Sequence, residues 1–135
     1  MITKAKITDY DILYKMDKHI SKERLRKKIE DGEILLLIKE EKIIGWLRYG
    51  YFWDEYPFMN MLFIIDEYRG KGFGKKLVED WEEKMAGEGH RLVMTSTLSN
   101  EEAQHFYRRL GYVDIGGFII YDEPLEILLI KNIHS

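Results

Sequence analysis

The sequence predicts a mixed α/β (α+β) fold, with one domain over residues 1–135, a mixed central sheet and the element order ααβββαβαββ. Short aliphatic or β-branched runs alternate with segments whose apolar residues recur at helical spacing. With 135 residues, of which 45% are hydrophobic and 13% aromatic, the chain is large and apolar enough for one core. Near the middle of the chain, a glycine-rich segment lies between a predicted strand and a predicted helix.

The first half of the chain begins with two predicted helices and continues with strands. Thr8 followed by Asp11 indicates the start of the first helix, and Ser21 suits the cap of a second helix that ends near Glu30. The runs that follow are aliphatic or rich in aromatic and β-branched residues, as strands are. These predicted strands run through residues 33–39, 43–52 and 58–65, and the first two are joined by a turn at residues 40–42.

The second half of the chain predicts two further helices and three strands. A helix that begins at Gly72 carries its apolar residues on one face and ends at Gly87. Ser99 and Glu102 are spaced as a capping box, which predicts the start of the last helix. The predicted strands of this half run through residues 90–98, 112–120 and 125–130, and the last two suggest a closing hairpin.

The composition argues against several classes of protein. The 21 basic and 24 acidic residues give a net charge of -3, so no chain-wide attraction to nucleic acid or an anionic membrane is expected. Because cysteine is absent, a disulfide, a thiolate metal ligand and a cysteine acyl-enzyme are all excluded. The histidines lack metal-ligand spacing, so we expect no metal; they are His19, His90, His105 and His134.

The termini and the apolar runs predict a cytoplasmic, soluble protein. The first residues lead into Asp9 and Asp11 without the apolar core of a signal peptide. The longest aliphatic runs, residues 34–38 and 61–65, are far shorter than the roughly 20 residues that a membrane-spanning helix needs. A cysteine-free chain also suits a reducing compartment.

The glycine-rich segment predicts an anion site. Glycines at positions 70, 72 and 74 let the backbone approach a ligand closely, and the helix behind them turns free amides and its positive dipole end outward. Lys71, Lys75 and Lys76 add positive charge around the segment. A phosphate or pyrophosphate is therefore the expected guest.

Two common phosphate-binding motifs do not fit this segment. The dinucleotide pattern GxGxxG starting at Gly70 would require glycine at position 75, where the chain has Lys75. The Walker A motif needs Ser or Thr after Gly-Lys, but Gly74-Lys75 is followed by Lys76. What remains is the pattern R-x-x-G-x-G directly after a strand.

With this pattern the chain resembles the GNAT superfamily of acyl-CoA N-acyltransferases, and two motifs carry the resemblance. The first, which matches the family's cofactor motif, is Tyr68-Arg69-Gly70-Lys71-Gly72-Phe73-Gly74-Lys75. The second, about 25 residues further on, is residues 100–112, from Asn100 through Phe106-Tyr107 to Gly111-Tyr112. The similarity covers roughly residue 34 to the carboxyl terminus and implies a single GNAT-like domain.

The resemblance implies a role for each matched position. Backbone groups of Leu62, Phe63 and Ile64 would pair with the pantetheine arm of acetyl-CoA, and Asn100 would contact the same arm. The pyrophosphate segment comprises Arg69, Gly70, Lys71, Gly72, Phe73, Gly74 and Lys75, with the amides of residues 70–75 holding the pyrophosphate. Tyr107 would protonate the departing sulfur as the catalytic acid. Since terminal strands in this family often pair across dimers, a homodimer is an open expectation.

The implied reaction is acetyl transfer from acetyl-CoA to a primary amine, and it needs a neutral amine. A lysine-like amine of pKa about 10.4 is neutral in only about one part in 10³ at pH 7, equivalent to roughly 4 to 5 kcal/mol. Family members often place a carboxylate where this chain has Phe58, Asn60 or Thr95. The base is therefore open between Asp54, Glu55 and a water held by Asn60 or Thr95.

The acceptor and one rival function also stay open. A small polyamine, an antibiotic, an amino acid or a protein amine would each suit an N-acetyltransferase. The rival is a non-catalytic acyl-CoA-binding or sensor module, which would keep the glycine segment but lack a base. Tyr107 at the matched position argues against that rival. Some residues of the stretch 46–56 are candidates to line an acceptor cleft: its aromatic residues together with Arg48, Asp54 and Glu55.

Overall fold

The computed structural model describes residues 1–133, whose strands form a seven-stranded mixed sheet accompanied by four α-helices. The strands are β1 (Ile2–Lys4), β2 (Ile34–Lys39), β3 (Lys42–Phe52), β4 (Tyr56–Ile64), β5 (Leu92–Leu98), β6 (Val113–Phe118) and β7 (Glu126–Asn132), and the helices are α1 (Tyr10–Met16), α2 (Lys22–Glu30), α3 (Phe73–Gly87) and α4 (Ala103–Arg109). The sheet order is β1-β2-β3-β4-β5-β7-β6, and β4 and β5 run parallel. The predicted mixed α/β fold class is confirmed.

Two local predictions were wrong, and one strand was missed. β1 has only three residues, too few for a periodic signal, and its pairing with β2 defines it. The start predicted at Thr8 is instead a 3₁₀ turn, Ile7–Asp9, in which the Asp9 carboxylate accepts a bond from the Lys6 amide. The capping box of Ser99 with Glu102 does not form. Instead, the Gln104 amide donates to the backbone oxygens of Ser99 and Glu101, at 2.8 Å each.

Residue contacts divide the chain into two compact units. Unit 1 contains residues 1–49 and 61–80, and unit 2 contains residues 50–60 and those from 81 onward. The assignment of residues 1–135 to one acyl-CoA N-acyltransferase domain stays a prediction.

The core of unit 1 lies where α1 and α2 meet the first strands. Leu25 and Ile29 are the buried residues of α2, as its helical spacing predicted. The predicted cap of this helix is confirmed, because the Ser21 hydroxyl accepts a hydrogen bond from the Arg24 amide. The cluster is formed by Ala5, Leu13, Leu25, Ile29, Ile34, Leu36 and Trp46.

A buried ion pair joins the loop after α1 to β3 within unit 1. The Arg48 Nε donates to a carboxylate oxygen of Asp17 at 2.9 Å, and both side chains are buried. The same carboxylate accepts a hydrogen bond from the His19 amide. Arg48 is therefore committed inside the core, so its expected place in the lining of an acceptor cleft was wrong.

We expect replacement of Asp17 with alanine to destabilise the fold by about 3–5 kcal/mol, because it leaves the Arg48 charge buried without its partner. Equilibrium unfolding in urea measures the loss. The double variant Asp17→Leu, Arg48→Met removes both charges and should recover most of the stability. If Asp17→Ala lowers the free energy of unfolding by less than about 1 kcal/mol, Arg48 is not left buried without a compensating charge, and the prediction is wrong.

Unit 2 is built around a three-strand ladder. β7 pairs antiparallel with β5 along seven residues and with β6 on its other side. The second strand of the closing hairpin therefore lies between β5 and the first strand of the hairpin. Val93, Leu129 and the α3 residues Trp81 and Met85 are fully buried. β6 is exposed along its whole length at the end of the sheet order.

Candidate functional site

The glycine-rich segment connects the end of β4 to the start of α3, as the sequence predicted. A 3₁₀ turn at Asp66–Tyr68 follows β4, and α3 begins at Phe73. Gly70 and Gly72 have φ values of 74° and 86°, in the left-handed region that glycine adopts without strain. A Cβ built on either glycine would meet no atom within 4 Å. The backbone of the segment is therefore open to a ligand.

The start of α3 supplies amide donors to this opening. The Lys76 amide donates to the Gly72 oxygen at 3.1 Å, which begins the helical ladder. The amides of the residues before it, Phe73, Gly74 and Lys75, have no acceptor in the preceding turn of an α-helix. The macrodipole of this 15-residue helix adds roughly half a positive charge at the same end. The combination suits an anion such as a pyrophosphate.

Cationic side chains surround the segment in unit 1, and Arg69 fixes its shape. The Arg69 Nε donates to the Ile64 oxygen at 2.7 Å, and its guanidinium pairs with Asp66 at 2.9 Å while lying 5.0 Å from the Phe63 ring centre. These contacts hold the segment against the end of β4. Lys71 lies over the Tyr68 ring instead, at 5.9 Å.

The three β4 positions assigned to pantetheine lie beyond the β4–β5 ladder. That ladder has two pairs, Phe58 with Met94 and Met59 with Thr95, and does not include residues 62–64. On β3, a Cβ on Gly45 would come within 2.8 Å of the Phe63 oxygen. Sequence reasoning missed Gly45, although a glycine inside an aliphatic strand signals close backbone approach.

Tyr107 is a buried residue of α4 in unit 2. Its ring makes edge-to-face contacts with Phe106 and Tyr112, with ring centres 5.3 and 5.7 Å apart. Burial raises the pKa of Tyr107 to about 12, partly offset by a hydrogen bond to Thr95, while the Glu101 charge raises it further. Tyr107 is therefore protonated at neutral pH and is able to act as a proton donor.

The Thr95 side chain joins β5 to β4 within unit 2. It is almost completely buried, and its hydroxyl donates to the Met59 oxygen at 3.0 Å. The structure thus gives the Thr95 hydroxyl a protein partner, whereas the sequence suggested Thr95 only as a holder of water.

Just after α4, Tyr112 takes part in a charged network that the sequence did not reveal. The Tyr112 hydroxyl donates to a Glu82 oxygen at 2.7 Å, and the Lys131 ammonium donates to the other oxygen at 2.9 Å. Burial and the Glu82 charge raise the pKa of Tyr112 well above its usual value. These bonds hold the Tyr112 ring in place where it makes its edge-to-face contact with Tyr107.

The remaining candidates are exposed. Asn100 lies in the turn between β5 and α4, and Asp54 and Glu55 lie in the turn between β3 and β4. Asn60 lines a pocket of about 220 Å³ in unit 2, together with Tyr51, Phe52 and Phe58. Three aromatic rings and one amide give this pocket the character of a small organic-ligand site.

Across residues 1–133 the structure brings together no group of three or more Asp, Glu or His suited to a metal. His134 lies outside the described residues. Within the same part of the chain, no helix combines the length and apolar character required to cross a membrane.

Comparison with known proteins gives one family and one partial sequence relative. The model of the Acetyltransferase (GNAT) family matches residues 5–112. Over 56 residues the chain is 38% identical to N-alpha-acetyltransferase 30 from Schizosaccharomyces pombe. This segment covers 41% of the chain and 37% of that protein, so the match spans little more than a third of the relative's length.

Solved structures share the fold at low sequence identity. Ard1 from Thermoplasma volcanium superposes with a TM-score of 0.87 at 11% identity, covering 100% of this chain and 98% of that one. A chain from the NatC complex bound to Gag peptide and CoA superposes with a TM-score of 0.82 at 18% identity, covering 98% and 97% of the two chains. At these identities the similarity establishes the fold alone.

Proposed function

Because the chain belongs to the GNAT family of acetyltransferases, we propose that it transfers an acetyl group directly from acetyl-CoA to a primary amine. The observation that carries the proposal is the glycine segment before α3, where Gly70 and Gly72 adopt left-handed conformations beside the free amides of a helix start. That geometry supports a pyrophosphate guest, and the NatC structure was solved with CoA.

The proposed reaction assigns separate roles to the matched residues. Amides of residues 70–75 hold the pyrophosphate, while Leu62, Phe63, Ile64 and Asn100 bind the pantetheine arm. The amine attacks the thioester carbonyl, a C–N bond forms, and the C–S bond breaks. Tyr107 gives its proton to the thiolate, and the proton that the nitrogen loses returns the phenolate to its neutral form. Strand amides near Phe63 or Ile64 stabilise the oxyanion.

The acceptor we favour is the α-amine of a polypeptide. An α-amine has a pKa of about 7.7–8.0, so about one molecule in ten is neutral at pH 7, at a cost of only about 1.4 kcal/mol. A reaction with that amine makes a weaker demand on a base, which fits a chain with Phe58, Asn60 and Thr95 in place of family carboxylates. The name of the yeast relative, N-alpha-acetyltransferase 30, and the Gag peptide in the NatC structure support the same class.

The pocket of Tyr51, Phe52, Phe58 and Asn60 is our candidate for the acceptor's first side chain, because its aromatic walls suit an apolar group and Asn60 offers hydrogen bonds. A water held by Asn60 is our candidate base. A cytoplasmic location and a homodimer complete the proposal.

The second candidate function is an acyl-CoA sensor without turnover, which the absence of a carboxylate at positions 58, 60 and 95 favours. A buried, protonated Tyr107 favours the enzyme, because a sensor has no need of an acid at the sulfur. Turnover distinguishes the two functions.

Two measurements test the proposal. In calorimetric titrations, acetyl-CoA should bind more tightly than ATP or NAD, and preference for either nucleotide would contradict the cofactor assignment. Release of free CoA is then followed with a panel of amines. A peptide with a free amino terminus should be acetylated, whereas the same peptide with a blocked terminus and one internal lysine should react far more slowly. Binding without turnover of any amine would support the sensor.

A further inference from the structure

The turn that joins β3 to β4 in unit 2 carries an exposed aromatic side chain. The Glu55 amide donates to the Phe52 oxygen at 3.1 Å, which closes a β-turn. Trp53 and Asp54 occupy its two central positions with φ values of 57° and 59°, the pattern of a type I′ turn. Trp53 is 76% exposed. A large aromatic residue therefore stands in solvent at the tip of this hairpin.

Neither the backbone nor the core accounts for tryptophan at this position. A left-handed φ is disfavoured for residues with a Cβ, so type I′ turns favour glycine, asparagine and aspartate. Packing in the core does not compensate for this strain, because most of the Trp53 side chain lies in solvent. Strained residues of this kind cluster at ligand-binding sites.

A second turn with the same pattern shows the contrast. It lies between β2 and β3 in unit 1, and its central residues, Glu40 and Glu41, have φ values of 52° and 65°. Both glutamates are exposed, and their charged side chains gain hydration there. The indole of Trp53 has no such gain, so its place in solvent calls for a ligand.

Trp53 is continuous with the aromatic wall of the pocket that contains Asn60. The ring centres of Trp53 and Phe52 are 5.0 Å apart, and Phe52 lines that pocket. The Tyr56 ring centre is 6.4 Å from that of Trp53. These neighbours hold the indole beside the pocket proposed for the acceptor's first side chain. Because successive residues of an extended peptide are about 3.3 Å apart, the second or third residue of the acceptor would reach Trp53.

The chemistry of the turn favours a cationic side chain as the occupant. The face of an indole attracts ammonium and guanidinium groups more strongly than the rings of tyrosine or phenylalanine do. The next two residues, Asp54 and Glu55, are exposed carboxylates without an ion-pair partner in the part of the chain from residue 1 to 133. A lysine or arginine of the acceptor would meet both the ring face and this negative charge, which gives specificity over a neutral side chain.

We propose that Trp53 is a specificity-determining residue whose ring binds a lysine or arginine side chain at the second or third position of the acceptor peptide. The inference rests on the proposed acetyl transfer to an α-amine, and it names the class of peptide that the chain prefers. It gives the β3–β4 turn a role in recognising the acceptor beyond its first residue.

The test compares peptides that have a free amino terminus and differ in one side chain. One has lysine at the second or third position, and its partner has norleucine there, which is apolar and of similar length. For the wild type we expect kcat/KM to be about fivefold higher with the lysine peptide, as one exposed cation–π contact provides. In Trp53→Gly the ratio should fall below about twofold, whereas Trp53→Tyr keeps an aromatic face and should retain most of the preference. A wild-type ratio near one would overturn the inference.

Glu41→Gly is the matched control, because it also places glycine at a left-handed position of a hairpin turn. It should leave the peptide ratio unchanged. Glycine suits both positions, so the midpoint of urea unfolding should fall in neither variant, and the loss of preference in Trp53→Gly is then separate from stability. An equal fall of the ratio in both variants would show an effect of turn geometry alone and overturn the inference.

Peptide binding separates the inference from the proposed function. Because Trp46 and Trp81 are buried, quenching of tryptophan fluorescence by a peptide reports mainly on Trp53. In the presence of CoA, the lysine peptide should quench at about fivefold lower concentration than the norleucine peptide. If this difference persists while neither peptide is turned over, the proposed function is wrong and the inference stands. Equal quenching by the two peptides, or none by either, would overturn the inference whatever the turnover.

Discussion

Replacing Gly72 with glutamate is expected to weaken acetyl-CoA binding at least about 100-fold, which corresponds to about 2.8 kcal/mol. The new side chain has room, because nothing lies within 4 Å of a Cβ at this position. It would, however, place a carboxylate in the opening proposed for the pyrophosphate, and the φ of 86° disfavours any residue with a side chain. Titration calorimetry measures the affinity.

Gly89→Glu separates the loss of binding from simple backbone strain. Gly89 lies after α3 with a φ of 95°, and a Cβ there also meets nothing within 4 Å. Both variants should lose about 1–2 kcal/mol of folding stability through their left-handed conformation. Only Gly72→Glu should lose acetyl-CoA affinity. Normal binding by this variant would remove the segment as the pyrophosphate site.

Replacing Tyr107 with phenylalanine is expected to lower kcat about 10- to 100-fold and to leave the affinity for acetyl-CoA unchanged. General acids typically contribute about 10²- to 10⁴-fold, and a thiol of pKa about 8.5 is already a fair leaving group, which puts the effect at the low end. Initial rates of CoA release and a parallel titration of acetyl-CoA measure the two quantities.

Tyr121→Phe is the control for removing a tyrosine hydroxyl, since Tyr121 is 95% exposed. It should leave both the rate and the affinity unchanged. Because the pKa of Tyr107 is about 12, its acid form persists to about pH 11, so its ionisation should cause no loss of wild-type activity between pH 8 and 10. Full turnover by Tyr107→Phe would remove this residue as the acid.

The parts of the site that the sequence predicted are local in the chain. The position of the glycine segment between a strand and a helix was predictable because its signals lie within about ten residues of it. These signals are the aliphatic run before the segment and the apolar stripe after it. The Ser21 cap was readable for the same reason. The box predicted for Ser99 does not form because α4 begins only at Ala103, so that Glu102, and not Ser99, occupies the N-cap position.

The parts that escaped the sequence depend on residues far apart in the chain. Gly45 approaches the Phe63 oxygen only because β3 and β4 fold against each other. β7 enters the sheet between β5 and β6, although the hairpin signal gave no indication of which strand would be inserted. A strand pattern of period two assigns side chains to faces but leaves the partner and the register undetermined.

The sequence by itself determined the mixed α/β class, the family motifs and the position of the anion segment, because each depends on residue type at short spacing. Tertiary structure alone decided which polar side chains are paired. Arg48 and Asp17 are 31 residues apart, and Thr95 and Met59 are 36 apart, yet each pair is joined by a buried hydrogen bond. Such bonds form because burial leaves polar groups no water to bind, and strand register decides which partner each one meets.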